Sequence, residues 1–591
     1  MRHIAFFRAS FFRASFFRAG FLQAGFLQAA LTALACCRFN AKRFTLARVT
    51  VVALSIALTQ CAQPPVSSPV KESNQRSTDP SNQAPAAQPS NLSSQHTAGR
   101  QQAGQDSISQ PKRQLDSPHA KQLQRLSLEW LRKSPLQTEH LSLYLFDLAQ
   151  QQLILEHRSD QPMQPASVMK LMTTSAALDL LGSTYRGAVS LRISPSDASA
   201  LAKRAPTAAL YTLQQPLVIY GEGHNQLQRR DVQAIDETLK RLGIAAPSTV
   251  VLDRRWMPLA PVKPFDENPW SWYNVAPDAL LLEQNTQWYH LSANSPQMSL
   301  RIAGIDEPIQ VDSKKVRWNE QPCRQNALQQ LHFQWRGTPQ RPLVEIRGDF
   351  PRQCYLSGYA QLLPRDWGWQ AAWQRVWPTA RLLPQLPKGA ATVEIARLED
   401  EPLAVRIRSI NKDSDNVQAR TLFAALSTAP APSQQTNQSS ASTDSSPDLS
   451  TDLNASAKRL NDWLHAKGID TRQLVFENGA GLSRSERLTA SALGDMLRWQ
   501  WQQPTRFEFV SSLPIAGVDG TLKTRFAGQA AEQCARLKTG TLRDTTALAG
   551  YLLPQNGQGP YVLVAILNDE QALSQGIKSF NSWVNQLCQA Q

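Results

Sequence analysis

The stretch whose reading decides the fold is "QPASVMKLMTTSAALDLLG", residues 164–182. Pro165 precedes an apolar run interrupted by one lysine, and Gly182 stands where a helix can end. A segment apolar on nearly every face predicts a buried helix. Lys170 is costly there unless it finds partners or sheds its proton. Ser167 and Lys170 are three residues apart and so share one helix face. Two readings compete. Ser167 caps a core helix while Lys170 reaches for water, or Ser167 is a nucleophile with Lys170 as its base. Desolvation and neighbouring cations would make the lysine a usable base. The helix start adds free N–H groups and a positive dipole end beside the hydroxyl.

Ser-x-x-Lys alone decides little, because it also occurs at Ser68–Lys71 and Ser409–Lys412. The first of these lies beside Pro69 in a polar, Pro/Ser/Gln-rich segment, and the second at an expected strand-to-helix junction. Two distant stretches separate the candidates. "INKDSDNVQARTLF" (410–423) carries Ser414-Asp415-Asn416 at a helix entry, although Ser-x-Asn also occurs at 292–294 and 579–581. "CARLKTGTLRDT" (534–545) carries Lys538-Thr539-Gly540, the single Lys-Thr-Gly of the chain. In a strand, Lys538 and Thr539 would point to opposite faces, and Gly540 would let another backbone approach. Ser-x-x-Lys, Ser-Asp-Asn and Lys-Thr-Gly, in this order, form a mechanical set for acyl transfer.

The rest of the chain frames these motifs. With 591 residues it is too long for one ordinary domain. Residues 1–61 read as a leader, with basic "RFNAKRF", an apolar run Leu46–Leu58, and Leu58-Thr59-Gln60-Cys61. The last four are similar to a lipoprotein cleavage box, with Gln60 where a small residue is usual. That makes Cys61 a candidate lipid anchor, with ordinary signal-peptidase cleavage nearby as the alternative, and the protein an exported, periplasmic one. Ahead of the leader's apolar run lies a five-residue unit, "FFRASFFRASFFRAGFLQAGFLQAA", whose period does not match a helix. Residues 62–120 have a linker's composition and predict disorder. Helix texture begins at 121, and "LSLYLFDLAQQQLILEHRS" (141–159) reads as two alternating strands around a turn. From 188 to 365 short strands and Trp/Pro-rich loops predominate, and helices return with "DWGWQAAWQRVW" (366–377). A second low-complexity stretch covers 429–456. Helices near 456–468 and 488–502, strands near 534–542, 546–553 and 560–568, and a last helix with Leu573, Ile577, Phe580, Val584 and Leu587 on one face complete the chain. The pattern predicts an α/β core, residues 121–187 and 366–591, interrupted by β-rich inserted domains at 188–365.

The formal charge of +15 does not point to nucleic acid. Residues 1–60 hold eight of the 62 Lys/Arg and none of the 47 Asp/Glu, and the remaining surplus is scattered without a groove-reading motif. No metal-ligand spacing is present, and the acyl-transfer set calls for no cofactor. Cys323, Cys354, Cys534 and Cys588 remain after the leader, an even number suited to disulfides in an exported chain. Three pairings are open, of which Cys323–Cys354 with Cys534–Cys588 is the least entangled.

From about 121 to 591 the chain resembles the D-alanyl-D-alanine carboxypeptidase/endopeptidases of the penicillin-binding protein 4 kind, class C low-molecular-mass penicillin-binding proteins. The matching stretches are "PASVMKLMTTSAALDLLG", "NKDSDN", "NGAGLSR", "LPIAGVDGTL" and "KTGTL". The long interval between Ser167 and Ser414 fits that family, which inserts extra domains there. The resemblance implies a serine β-lactamase/DD-peptidase-like core, an antiparallel sheet flanked by helices. It implies Ser167 as nucleophile, Lys170 as base and Ser414 as proton relay. Asn416, Lys538, Thr539 and Thr541 would bind substrate, with the N–H groups of Ser167 and Thr541 as oxyanion hole and Arg484 as a further substrate contact. Peptidoglycan stem peptides and cross-links would be the substrates, and β-lactams would acylate Ser167. Two departures stand out: "GEGHNQL" (221–227) has His224 and Asn225 in place of Asp and Pro, and "NPWSWYNVAP" (268–277) lacks an expected acidic residue. His224 reads as a surface or turn residue. A β-lactamase would need a Glu-x-x-Leu-Asn deacylation motif, which the sequence lacks, and a wall-binding scaffold without activity would not need all three motifs intact.

Overall fold

The computed structural model describes residues 108, 110–205, 208–224, 226–257, 264–383, 385–386, 389–429, 450–555 and 557–590. The leader, the five-residue repeats, Cys61, Ser68–Lys71, Asn225 and most of the second low-complexity stretch lie outside the described residues. The chain enters through the helix Pro118–Lys133 and the hairpin β1 (Leu141–Asp147) and β2 (Gln152–His157). Then come β3 (Ala188–Ile193), β4 (Leu217–Glu222), β5 (Thr249–Asp253), β6 (Gln287–Asn294), β7 (Gln297–Ile302) and β8 (Gln310–Asn319). They are followed by β9 (Leu331–Thr338), β10 (Arg341–Pro351), β11 (Gln353–Ala360), β12 (Arg381–Leu383) and β13 (Val393–Glu399). The last strands are β14 (Ala535–Leu542), β15 (Thr545–Leu552) and β16 (Tyr561–Asn568).

The sheet that carries the site runs β14-β15-β16-β1-β2, antiparallel throughout. β1 pairs with β16 from Leu141↔Leu567 to Asp147↔Tyr561, so the two ends of the domain are neighbours and the intervening chain loops out of it. Helices cover both faces. On one, Tyr144, Phe146, Val562, Val564 and Ile566 pack with Met169, Leu171, Leu493 and Met496. On the other, Leu143, Leu145, Leu563 and Leu567 pack with Leu123, Trp130, Phe580 and Trp583. β1 is therefore buried at all positions, and "LSLYLFD" is a two-sided strand where alternation predicted a half-exposed one.

Two further modules fill the insertion. A mixed sheet, β12-β5-β4-β3-β13, shares a core with the helices Arg229–Arg241 and Trp367–Gln374. Between β5 and β12, the sheets β11-β6-β7 and β8-β10-β9 share a core around Tyr289, Leu291, Leu331, Val344 and Phe350. The inserted part thus extends past 365, because Trp369, Trp373 and Trp377 bury themselves against Val189 and Leu191, and β13 pairs with β3. Composition alone could not say which core these tryptophans would enter.

The chain also joins the domain earlier than its composition predicts. Lys112 bridges to the β2 edge (Leu153 N to Lys112 O, 2.9 Å), and Ser117 caps the first helix by accepting from Ala120 N. The helix expected near 456 starts at Leu453, behind Asp452 as cap. Leu573 leaves the expected apolar face of the last helix and is 44% exposed, because residues 572–576 form a π-helical turn that shifts its phase. Disulfides join Cys323 to Cys354 and Cys534 to Cys588, the least entangled pairing.

Candidate active site

Pro165 leads into a tight turn, Ala166–Val168, which passes into the buried helix Met169–Leu180. Gly182 follows at φ +86°, as the termination signal predicts. From Pro165 to Leu178 every residue is buried except Ser167. Ser167 caps nothing. The cap position of the helix belongs to Val168, and no side chain accepts a hydrogen bond there. Its hydroxyl is accordingly available to Lys170, whose Nζ lies 3.0 Å from Ser167 Oγ.

Lys170 is fully buried. Burial, reinforced by the charges of Lys538 and Arg420, holds its amine well below the ordinary lysine range, against the opposing pull of Asp415 and Glu486. A neutral amine has two N–H groups and one lone pair. Nζ donates to Asn416 Oδ1 (2.7 Å) and to the Ala480 carbonyl (2.5 Å). In the neutral form these two contacts use both N–H groups, and the lone pair faces the Ser167 O–H. This is the arrangement of a general base.

The other two motifs arrive from separate elements. Asp415 caps the helix Asn416–Ala425 by accepting from Gln418 N (3.0 Å), which fixes Asn416 at its first position. Ser414 precedes it in the left-handed region (φ +62°), a strained placement for a serine. On β14, an edge strand, Lys538 Nζ donates to Ser414 Oγ (2.9 Å) and to the Thr539 carbonyl (2.9 Å). Burial brings Lys538 down to about 7, against the pull of Asp413. Burial, with Asp415 and Asp519 beside it, lifts Asp413 to about 6. Two glycines permit the assembly. A Cβ on Gly540 would stand 2.7 Å from the Pro165 carbonyl oxygen, and one on Gly481 (φ +77°) 1.8 Å from that of Ala166. Strand and loop can thus close on the Ser167 turn from two sides.

A family model described as the D-Ala-D-Ala carboxypeptidase 3 (S13) family matches residues 124–587. The chain belongs to this family. Among curated family relatives it is 36% identical over 110 residues to a D-alanyl-D-alanine carboxypeptidase of an Actinomadura species, and 31% identical over 183 residues to carboxypeptidase DacB of Mycolicibacterium smegmatis. These matches span 18% and 30% of this chain, but only 20% and 36% of the relatives' own length. In fold, the chain is similar to penicillin binding protein 4 (dacB) from Haemophilus influenzae, with a TM-score of 0.59, 20% identity, and 78% of this chain and 98% of that one covered. A second structure of that protein, complexed with a β-lactam, matches with a TM-score of 0.57. The mixed α/β fold with a helix-flanked antiparallel sheet is therefore that of the DD-peptidases.

Within this S13 fold the motif residues Ser167, Lys170, Ser414, Asn416 and Lys538 come together. Thr539 points away from Lys538, as strand alternation requires, and its hydroxyl bonds Thr521 Oγ1 at 2.8 Å. Thr541 sits exposed farther along the same edge strand. Arg484 lies half-exposed, 3.2 Å from Asp544 in the β14–β15 turn and over the Phe265 ring at 4.5 Å. Ser409 and Lys412 do not meet: Ser409 Oγ bonds the Arg406 carbonyl, and Lys412 Nζ bonds Leu513 O and Asp519. His224 is buried beside Asp400, not at the surface, because its segment bridges to Leu280 inside the insertion.

Several partners in the site are invisible to motif reading. The insertion buttresses the Asn416–Ala425 helix from outside. Gln284 Nε2 donates to Asp415 Oδ2 (2.7 Å), Arg420 to the Val275 carbonyl (3.3 Å), and Asn416 Nδ2 to the Tyr273 carbonyl (3.4 Å). The loop 477–481 supplies Ala480 and Gly481, backbone contributions that leave no side-chain signature. Glu486 beneath it is the exception, an acidic residue five positions beyond a Gly-x-Gly turn.

Proposed function

We propose that the protein is an exported serine D-Ala-D-Ala carboxypeptidase and DD-endopeptidase that acts on peptidoglycan peptides and is acylated by β-lactams. The observation that carries this reading is the buried Lys170 Nζ, held by Asn416 Oδ1 and the Ala480 carbonyl, 3.0 Å from Ser167 Oγ. Ser167 Oγ bonds to the carbonyl carbon between two D-alanines as its proton passes to Lys170. The carbonyl electron pair moves onto oxygen, where the N–H groups of Ser167 and Thr541 form the oxyanion hole. As the C–N bond breaks, the departing amine takes a proton through Ser414, which Lys538 orients. Lys170 is thereby returned to its neutral form. Water then adds to the ester with Lys170 again accepting the proton, and Ser167 is released. Asn416 holds Lys170 and meets the substrate backbone. Lys538 supplies positive charge toward Ser414 and the terminal carboxylate, Thr539 offers a hydrogen-bonding hydroxyl from the other side of the strand, and Arg484 receives the peptide farther out. Each step is served by side chains and backbone groups of this chain.

The leader composition supports a periplasmic location, with Cys61 as the site of a lipid anchor. Mass spectrometry of the mature N-terminus tests it: an unmodified terminus elsewhere than Cys61 removes the anchor. For the activity, a fluorescent penicillin should label the protein covalently, and Ser167→Ala should abolish the label without lowering Tm. Labelling that survives Ser167→Ala would overturn the reading. Digestion of purified muropeptides should release D-alanine and cleave cross-linked dimers.

A further inference from the structure

Beneath the loop that receives Lys170 lies a carboxylate that none of the three motifs includes. Glu486 is fully buried. Its Oε1 accepts from the backbone N–H groups of Glu477 (3.1 Å), Asn478 (2.9 Å) and Gly479 (2.9 Å), and its Oε2 from that of Gly481 (3.0 Å). Four converging amide donors form an anion-binding nest, filled here by a side chain of the same chain. Burial pushes the Glu486 carboxyl up, and the backbone N–H groups of Asn478, Gly479 and Glu477 pull it back down. All four contacts are donors, so the geometry suits the ionised carboxylate, which is an acceptor only.

The loop so gathered does two things. It presents the Ala480 carbonyl to Lys170 Nζ, and it lays Gly481 against the Ala166 carbonyl, next to the Ser167 peptide. A second tie comes from the nucleophile helix itself, where Thr173 Oγ1 donates to the Gly479 carbonyl (2.7 Å). Asn478 Oδ1 closes the turn by accepting from Ala480 N (3.0 Å). We propose, building on the acyl-transfer reading above, that Glu486 is a positioning residue for the Ser167–Lys170 pair. As a buried anion it holds residues 477–481 in the shape that receives Lys170.

The charge matters as well as the shape. Lys170 is faced by Lys538 from β14, by Arg420 from the Asn416–Ala425 helix, by Asp415 at that helix's cap, and by Glu486 from this loop. Glu486 is faced by the charges of Glu477, Arg420 and Lys170. Removing its negative charge leaves the Lys170 ammonium less supported, so the amine should become neutral at lower pH.

The test follows acylation of the full chain by a fluorescent penicillin from pH 5 to 9, for the unaltered protein and for Glu486→Gln. The amide keeps the volume but turns an N–H group toward amide donors. The expected result is a plateau rate lower by about tenfold or more, from misplacement of the pair, together with a shift of the acid limb's midpoint to lower pH. A purely structural residue would lower the plateau and leave the midpoint in place, and that outcome overturns the proposal, as does an unchanged profile. Failure of the unaltered protein to be acylated would instead overturn the acyl-transfer reading. Should Glu486→Gln not fold, amide exchange on the unaltered protein decides. Asn478, Gly479 and Gly481 should exchange far more slowly than unprotected loop amides, and exchange at the unprotected rate overturns the proposal.

Discussion

At the residue scale the site is a problem of two buried lysines. Lys170 must be neutral to take a proton, and Lys538 must be charged to receive a carboxylate. Burial lowers both, but only Lys170 has a cationic neighbour among the causes of its shift, whereas Lys538 has the opposing carboxyl of Asp413. The free enzyme should therefore show a bell-shaped kcat/KM on a peptide ending in D-Ala-D-Ala. The rate rises with pH as Lys170 loses its proton, and falls as Lys538 loses its charge around pH 7. A profile that keeps rising through pH 9 would refute the role of Lys538. Lys170→Met should cut acylation by about 100-fold or more, the usual span for a general base, with circular dichroism unchanged.

At the element scale the decisive feature is how closely three backbones approach. The Ser167 turn is flanked by β14 at Gly540 and by the 477–481 loop at Gly481. Gly481→Ala would place a methyl group 1.8 Å from the Ala166 carbonyl oxygen at a left-handed φ, so the turn or the loop must move. A displacement of this kind costs about 100-fold in rate, and acylation kinetics with the folded variant will show it. Asp415 works on another element. It caps the Asn416–Ala425 helix and receives Gln284 from the insertion. Asp415→Ala should cost about 1 kcal/mol for the lost cap, read from a urea transition, and should slow acylation because Asn416 loses its anchor. "KTG" and "SDN" were legible as motifs because their side chains do the chemistry. "NGAGLSR" was legible as a stretch, but the part Ala480 plays in it was not, because what it contributes is a carbonyl oxygen.

At the scale of the whole molecule, one domain is made from the two ends of the described residues. β1 pairs with β16, and the helices Pro118–Lys133 and Ile577–Gln589 pack on the same face. The Cys534–Cys588 bridge ties the start of β14, the strand that carries Lys538, to the last helix. Replacing both cysteines by alanine should lower stability by about 2–4 kcal/mol, measured by thermal unfolding, with penicillin acylation retained below the transition. The insertion is not a passive passenger, since Gln284, Val275 and Tyr273 all touch the helix that begins with Asn416.

The sequence by itself determined the nucleophile helix, the order of the three motifs and the strands that end the chain. Each rests on local facts: apolar runs, a terminating glycine, short polar signatures at fixed spacing. It also placed a β-rich insertion between Ser167 and Ser414. Only the tertiary structure decided that Ser167 caps nothing, that Asn416 and the Ala480 carbonyl hold Lys170 against the serine, and that Ser409 and Lys412 turn to separate partners. It alone placed the tryptophans of 367–377 in the insertion's core and buried His224. The physical reason is the same in each case. A side chain's charge state and partners depend on what burial brings against it from distant parts of the chain, and spacing along the sequence carries no record of that.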